Sequence, residues 1–333
     1  MKKLLKSFVN KIDKIVSNNY VYIFNERNSL ITFCFHGLFK DKSEIELNYS
    51  DPQQKITIDI FRQFMEYYLE HDYIFISPQD ILDGIRPERK YILLTFDDGY
   101  YNNHLSLQIL NEFRVPATFF ISSNHIANNK CFWWDVLYRE RLKRNSPIEQ
   151  YSKEVSILKL RKNNEIEQYI IDNFGKKAFN PIGDIDRPFT PTELKVFASD
   201  PLVFLGNHTA NHAILTNYSP FEIRSEIELA QTAICNFTGI TPIIISYPNG
   251  NFSKDVLTIS KEIGLKLGIT TIQKKNYLPL NLEGINPFLL NRFFFWGDRD
   301  IKKQCNFYRS DIQLSSMILK FINAKTTENR ATY

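Results

Sequence analysis

The apolar run at residues 91–96 (Tyr-Ile-Leu-Leu-Thr-Phe) stops abruptly at Asp97, Asp98 and Gly99. A run without polar alternation fits a strand buried on both faces, as in a parallel sheet covered by helices. Such a strand carries whatever follows it to the C-terminal edge of the sheet, where parallel α/β folds build their sites. Gly99 permits a sharp turn there. Two neighbouring carboxylates repel each other unless a cation or a shared proton relieves them. Either aspartate would otherwise serve only to cap a helix starting near Tyr101.

A second stretch has the same construction. The apolar run at residues 202–205 leads into Asn207-His208-Thr209-Ala210-Asn211-His212. The two histidines are four apart, so a turn of helix or a helix-like loop brings both imidazoles to one side. With one carboxylate they make a three-ligand catalytic metal site that keeps a position open for water. The alternative leaves His208 as a strand cap and His212 as a satisfied surface residue.

Around these landmarks short strands alternate with helices, the signature of an α/β fold with a parallel sheet. Residues 30–38 read as a strand ending at His36 and Gly37. Residues 58–70 read as a helix, with Ile60, Phe61, Phe64, Tyr67 and Tyr68 at helical spacing, and 73–76 as a short strand. Ser77 caps a brief helix with Pro78 in its first turn. A helix over 102–113 and a strand over 115–121 follow the aspartates. The rhythm breaks over about residues 124–191, which hold Trp133, Trp134 and Lys/Glu/Asn-rich helical segments such as 157–174. This stretch reads as a helical insertion between two strands. The alternation resumes with a strand at 202–206 and a helix at 219–237, whose Ser219, Pro220, Glu222 and Gly239 are start and stop signals. A strand (241–247), a helix (253–263), a strand (267–271) and a last strand (287–295), whose end carries Arg292, complete it. Six to eight strand–helix units suffice for a barrel.

At 333 residues the chain can bury a sizeable core. The net charge of +4 is spread along it, so no nucleic-acid partner is expected. Cys34, Cys131, Cys235 and Cys305 lie far apart with no CxxC pair, which fits reduced thiols in a cytosolic protein. Residues 1–29 form a basic N-terminal segment. Within it Leu4, Leu5, Phe8, Val9, Ile12 and Ile15 fall at helical spacing, with lysines on the other side. That amphipathic helix either packs on the protein's own body or rests on an anionic membrane surface. No stretch approaches the roughly 20 apolar residues of a membrane span, and the N-terminus lacks an apolar core of signal-peptide length. A cytoplasmic location, peripheral at most to the inner face of the membrane, is expected. Residues 326–333 read as a disordered tail.

Three motifs, in order, carry a family likeness. Thr95-Phe96-Asp97-Asp98-Gly99, His208-Thr209-Ala210-Asn211-His212 and Ser246-Tyr247-Pro248-Asn249-Gly250 resemble the successive motifs of the polysaccharide deacetylases, the NodB-homology family. The third is a variant in which Tyr-Pro replaces the more usual Arg-Pro-Pro. The resemblance covers residues 30–295. It implies a deformed (β/α) barrel of about seven strands over residues 30–325, elaborated by the insertion, and metal-dependent hydrolysis of an N-acetyl group on a sugar. It implies that Asp98, His208 and His212 hold a divalent metal, zinc first, with nickel or cobalt suited by the same donors. It makes Asp97 the general base to the attacking water. The oxyanion would be met by the metal and by a backbone N–H of the third motif, here that of Asn249. Tyr247 either adds an aromatic wall or is a core aromatic at a strand end.

Two departures from the family pattern stand out. The late Leu-x-x-x-His that supplies the general acid has no counterpart, because no histidine follows His212. His36 is the candidate replacement, unless it is a structural hydrogen-bonder. The third-motif arginine, which in relatives orients the catalytic aspartate, is also missing. Arg292 is the candidate to keep Asp97 ionised from another direction, unless it forms only a surface ion pair. Phe132, Trp133 and Trp134 either pack the insertion or offer a sugar platform, and His104 and His125 read as structural. The expected activity is that of a carbohydrate N-deacetylase in cell-surface polysaccharide metabolism. Its substrate would be an N-acetylated sugar, in a polymer or in a lipid- or nucleotide-linked precursor. The alternatives are a carbohydrate-binding relative that has lost catalysis, which the missing late histidine favours, and a metal-dependent glycosyltransferase using Asp97 and Asp98, which leaves both histidines without a task.

Overall fold

The computed structural model describes residue 16 and residues 19–311. The expected N-terminal basic helix, save residues 16 and 19, and the expected tail at 326–333 lie outside the described residues. Eleven strands are described: β1 (Ser29–Phe35), β2 (Leu38–Phe39), β3 (Ile56–Thr57), β4 (Tyr73–Phe75), β5 (Lys90–Phe96), β6 (Ala117–Ile121), β7 (Val203–Asn207), β8 (Ile244–Ser246), β9 (Leu267–Ile269), β10 (Asn276–Tyr277) and β11 (Phe293–Phe294). Nine form one sheet in the order β10-β1-β5-β6-β7-β8-β9, with β4 beside β5 and β11 beside β1. All pairings are parallel except β10 on β1. This is a mixed, strongly curled α/β half-barrel, consistent with the deformed barrel expected.

The curl is drawn together by the segment leading into β11. Leu290 bridges to Ile269 at the end of β9, and Phe293 and Phe294 then lie in register with Phe33 and Cys34 of β1. The continuous last strand expected over 287–295 is not formed. A 3-10 turn occupies Asn286–Phe288, and Arg292 precedes the two-residue β11 rather than ending a strand. Pro287 has no ladder donor to give. The Asn276 side chain then stands in for a partner strand, accepting from Asn291 N at 2.8 Å and donating to its carbonyl at 2.9 Å.

The period of two in β5 sorts its residues. Ile92, Leu94 and Phe96 join Phe33, Phe35, Phe61, Phe64 and Phe119 in the largest core. Phe96 lies between Phe35 and Phe119, with ring centroids 5.3 and 4.8 Å away. Tyr91 and Leu93 face the other way, with Phe120, Ile244, Leu267, Ile269 and Leu290. Thr95 and Asp97 continue that second row, so the strand aims Asp97 into the curl.

The long helix Pro220–Thr238 starts with a Ser219–Glu222 capping box and ends at Gly239 with φ 79°, as its sequence signals indicate. The insertion folds around its own cluster of Tyr100, Phe132, Trp133, Trp134, Tyr151, Ile166 and Phe179. Its expected helix over 157–174 is two helices, Ile148–Leu158 and Asn163–Phe174. Lys162 turns extended between them, and the Glu165 carboxylate accepts its N–H at 3.0 Å. The four cysteines are free. Among the described residues no helix is long and apolar enough to cross a membrane.

Candidate metal centre and its cleft

The C-terminal ends of the parallel strands converge on one mouth. β1 delivers His36, β5 delivers Asp97 and Asp98, β7 delivers His208, and β8 ends at Ser246. The turns that follow are tight. Asp98 sits at φ 78°, Thr209 at 64°, His212 at 53° and Asn249 at 58°, a region costly for residues with a side chain. The two histidines therefore do not share a helical turn. Asn207 Oδ1 accepts from Thr209 N at 2.8 Å and Thr209 Oγ1 from Ala213 N at 2.8 Å. These bonds fold residues 207–213 into an irregular loop that brings His212 back beside His208.

Asp98, His208 and His212 meet there. Asp98 Oδ1 is 3.4 Å from His208 Nε2 and 3.3 Å from His212 Nε2, and the two imidazole centroids are 4.8 Å apart. His208 Nδ1 lies 2.7 Å from the Ser246 carbonyl. A carbonyl only accepts, so Nδ1 carries a proton; in the neutral ring Nε2 then presents its lone pair towards Asp98, the second-sphere arrangement of a metal-ligating histidine. Asp98 Oδ1 is fully buried without a hydrogen-bond partner. An orphaned carboxylate oxygen facing two imidazole nitrogens fits a divalent cation, and the donor set suits zinc. Burial alone would raise the Asp98 pKa, but His208 and His212 hold it below its ordinary value. Burial pushes His212 down to about 3 despite the nearby Asp98, which keeps its ring in the neutral, ligating form.

Asp97 is 3% exposed and held differently. Arg292, itself 1% exposed, donates Nη1 to Oδ1 at 2.8 Å and Nη2 to Oδ2 at 2.6 Å. Ser246 Oγ donates to Oδ2 at 3.3 Å. Burial opposes the charge on Asp97, but Arg292, His208 and His36 outweigh it and keep the carboxyl well below the usual carboxylate range. Arg292 is thus a buried, two-pronged partner of Asp97 and not a surface ion pair.

His36 lines the same cleft. Its Nδ1 is 2.7 Å from Gln54 Oε1, while Gln54 Nε2 donates to the carbonyls of Cys34 and Phe295 at 2.6 and 2.8 Å. With the Gln54 nitrogen so engaged, its oxygen must accept, and His36 carries a proton on Nδ1. Asn249 also lines the cleft, in the turn after β8. Tyr247 does not. It is wholly buried, donates its hydroxyl to the Phe288 carbonyl at 3.1 Å and packs with Ile245, Val256 and Leu257, so the aromatic wall is corrected to a core role. Trp133 and Trp134 pack in the insertion's cluster and also border the cleft. They are 7% and 8% exposed and line the cleft, and the Trp134 ring is 4.6 Å from that of His212. His104 Nδ1 and His125 Nδ1 bond to the carbonyls of Tyr101 and Lys130.

The cleft measures about 490 Å³, within the range of small-molecule sites. Sequence reasoning missed its second wall. Asp51 lines it, its carboxylate accepting from the Tyr151 hydroxyl. The helices Ile148–Leu158 and Asn163–Phe174 supply Tyr151, Val155 and Asn163, with Lys159 in the turn between them. In sequence these are ordinary positions of a polar helical stretch. The only signal was indirect: an insertion leaving the end of the strand that lies between the two carrying the aspartates and the histidines.

The polysaccharide deacetylase family profile matches residues 84–268. The chain is 20% identical to YxkH of Bacillus subtilis (strain 168) over 216 residues, 63% of this chain and 57% of that relative. It thus spans little more than half the length of that relative. Among solved structures it resembles the Streptococcus pyogenes deacetylase PplD in complex with acetate, with a TM-score of 0.56 at 18% identity over 85% of this chain and 99% of that one. It also resembles a Bacillus cereus polysaccharide deacetylase, with a TM-score of 0.58 at 14% identity over 85% and 69%. IcaB from Ammonifex degensii gives 0.54 at 13% over 85% and 98%.

Proposed function

The chain belongs to the polysaccharide deacetylase family, and on that premise we propose that it is a metal-dependent hydrolase removing the N-acetyl group from an N-acetylated sugar, in a polysaccharide or in its lipid- or nucleotide-linked precursor. Asp98, His208 and His212 would hold the divalent ion, zinc being favoured and nickel or cobalt compatible with the same donors. When bound, such an ion lowers the pKa of water from about 15.7 towards about 7 and polarises the amide carbonyl.

The chain's own groups do the rest. Asp97 takes the proton of the attacking water. Arg292 keeps it anionic and fixes its plane, the task of the third-motif arginine that the sequence lacks. The Asn249 backbone N–H meets the developing oxyanion. His36, its Nδ1–H held by Gln54, has Nε2 left to hand a proton to the departing amine. Trp133 and Trp134 offer the sugar an apolar edge.

The observation that carries this reading is the orphaned Asp98 Oδ1 between two imidazole nitrogens, beside an aspartate held ionised. It is tested by metal content and acetate release on N-acetylated sugars, wild type beside His208→Ala. Stoichiometric zinc and acetate in the wild type, and neither in the variant, are expected. Absence of metal from the wild type would sink the reading.

A further inference from the structure

The cleft has one arginine and one lysine among its lining residues, and they are in unlike situations. Arg292 spends its charge on Asp97. Lys159 takes part in none of the ion pairs of the described residues. Its Nζ donates at 2.8 Å to Asn249 Oδ1, a neutral amide, and an ammonium has two further donors. Asp51, on the same wall, has its carboxylate engaged by the Tyr151 hydroxyl and by Gln53 N.

Lys159 is also held in place. The Asn217 side chain donates to the carbonyls of Lys159 and Arg161 at 3.0 and 3.1 Å. Lys162 pairs with Glu222 at 2.6 Å, and Asn163 N donates to the Tyr218 hydroxyl at 2.6 Å. The turn between the two insertion helices is thus tied to the loop after β7, which bears His208 and His212. Burial presses the Lys159 pKa down, while Asp51 and Asp98 only partly resist. The ammonium is partly exposed, bonded to a neutral amide and without a paired carboxylate, so its charge is open to an anionic group in the cleft.

We propose that Lys159 is a specificity residue that recognises an anionic group on the substrate, a carboxylate or a phosphoryl carried beside the N-acetylated sugar. This rests on the deacetylase reading and narrows it. A uronate neighbour and a phosphate-linked carrier both supply the required oxygens, and the reach of Lys159 across to the Asn249 turn places them at the edge of the metal centre.

The test is equilibrium binding to the zinc-supplemented full chain of three probes: neutral di-N-acetylchitobiose, an N-acetylglucosamine–glucuronic acid disaccharide and UDP-N-acetylglucosamine. One anionic probe should bind about ten- to a hundredfold more tightly than the neutral one, the size of a charge-assisted hydrogen bond. That advantage should vanish in Lys159→Gln, survive in Lys159→Arg and shrink with added salt. Whichever anionic probe holds it identifies the source of the charge. Equal binding of all three probes would overturn the proposal. So would an advantage that persists in Lys159→Gln, since a lysine that merely pins the insertion would weaken all three alike. Acetate release, followed in the same samples, reports on the deacetylase reading separately. Charge preference without acetate from any probe would sink that reading and not this one, and acetate without charge preference would do the reverse.

Discussion

Asp97, which lines the cleft, and Asp135, enclosed in the insertion, are both buried carboxyls, and their surroundings drive them in opposite directions. Asp97, at the barrel end, faces the guanidinium of Arg292 and stays ionised. Asp135, on the helix Trp133–Lys143 of the insertion, is paired with no cation among the described residues. It accepts from Asp51 N at 2.9 Å and the Tyr100 hydroxyl at 2.7 Å. Burial, which the Tyr100 bond only partly opposes, raises its pKa well above the ordinary value. The pair shows that burial alone does not set a carboxyl's role. A fixed countercharge keeps a carboxyl ionised, and hydrogen bonds without one leave a strut that resists ionisation. The barrel end presents a charged carboxyl to the cleft, and the seam between barrel and insertion encloses another carboxyl in hydrogen bonds.

The contrast can be attacked from its strongest point downward. His208→Ala should abolish both zinc retention and acetate release, as read by metal analysis of the purified protein. Asp97→Asn should keep the metal while kcat falls by about 10²–10⁴-fold, and undiminished turnover there would remove Asp97 from the chemistry. Arg292→Met leaves Asp97 buried and unpaired, so denaturant unfolding should show a loss of about 3–5 kcal/mol. Adding Asp97→Asn to it should recover much of that loss, and strictly additive losses would contradict the pairing. His36→Gln should slow release of an alkyl amine about a hundredfold but spare an activated ester whose leaving group needs no proton, and equal slowing of both would leave His36 a structural role.

The smallest effect falls on the strut. A carboxyl whose folded pKa lies above its unfolded value of about 3.9 holds its proton more tightly when folded. Its contribution is full below that pH and declines as pH rises towards the folded value. Asp135→Asn should therefore flatten the fall in melting temperature above about pH 4, with zinc content unchanged. A profile parallel to the wild type would show that Asp135 is ionised after all.

The barrel end was legible because two independent signals coincide there: an apolar run long enough for a buried strand, and residues with ligand chemistry just past it. Asp97, Asp98, His208 and His212 were legible for that reason. Their local geometry was not, because left-handed Thr209 and His212 leave no mark in the sequence and a four-residue spacing suggests a helix. Arg292 was placed near Asp97, but the strand meant to carry it dissolved at Pro287 and was replaced by the Asn276 side chain, a partner known only once the chain is folded. The insertion's wall was illegible for a different reason. Lys159 and Tyr151 sit in a polar helical stretch that reads as a solvated face, and only the docking of that stretch against Asn211, Asn217 and Tyr218 turns it inward.

The segment from Leu290 to Phe294 joins the two ends of the curled sheet and, midway, supplies Arg292. During synthesis both aspartates and both histidines leave the ribosome well before that arginine exists. Asp97 has until then no guanidinium to offset its desolvation, and a mouth holding it must stay wet. One segment therefore both closes the sheet and brings the guanidinium to Asp97. A half-made chain holds Asp97, Asp98, His208 and His212 without the guanidinium that Asp97 faces in the finished fold.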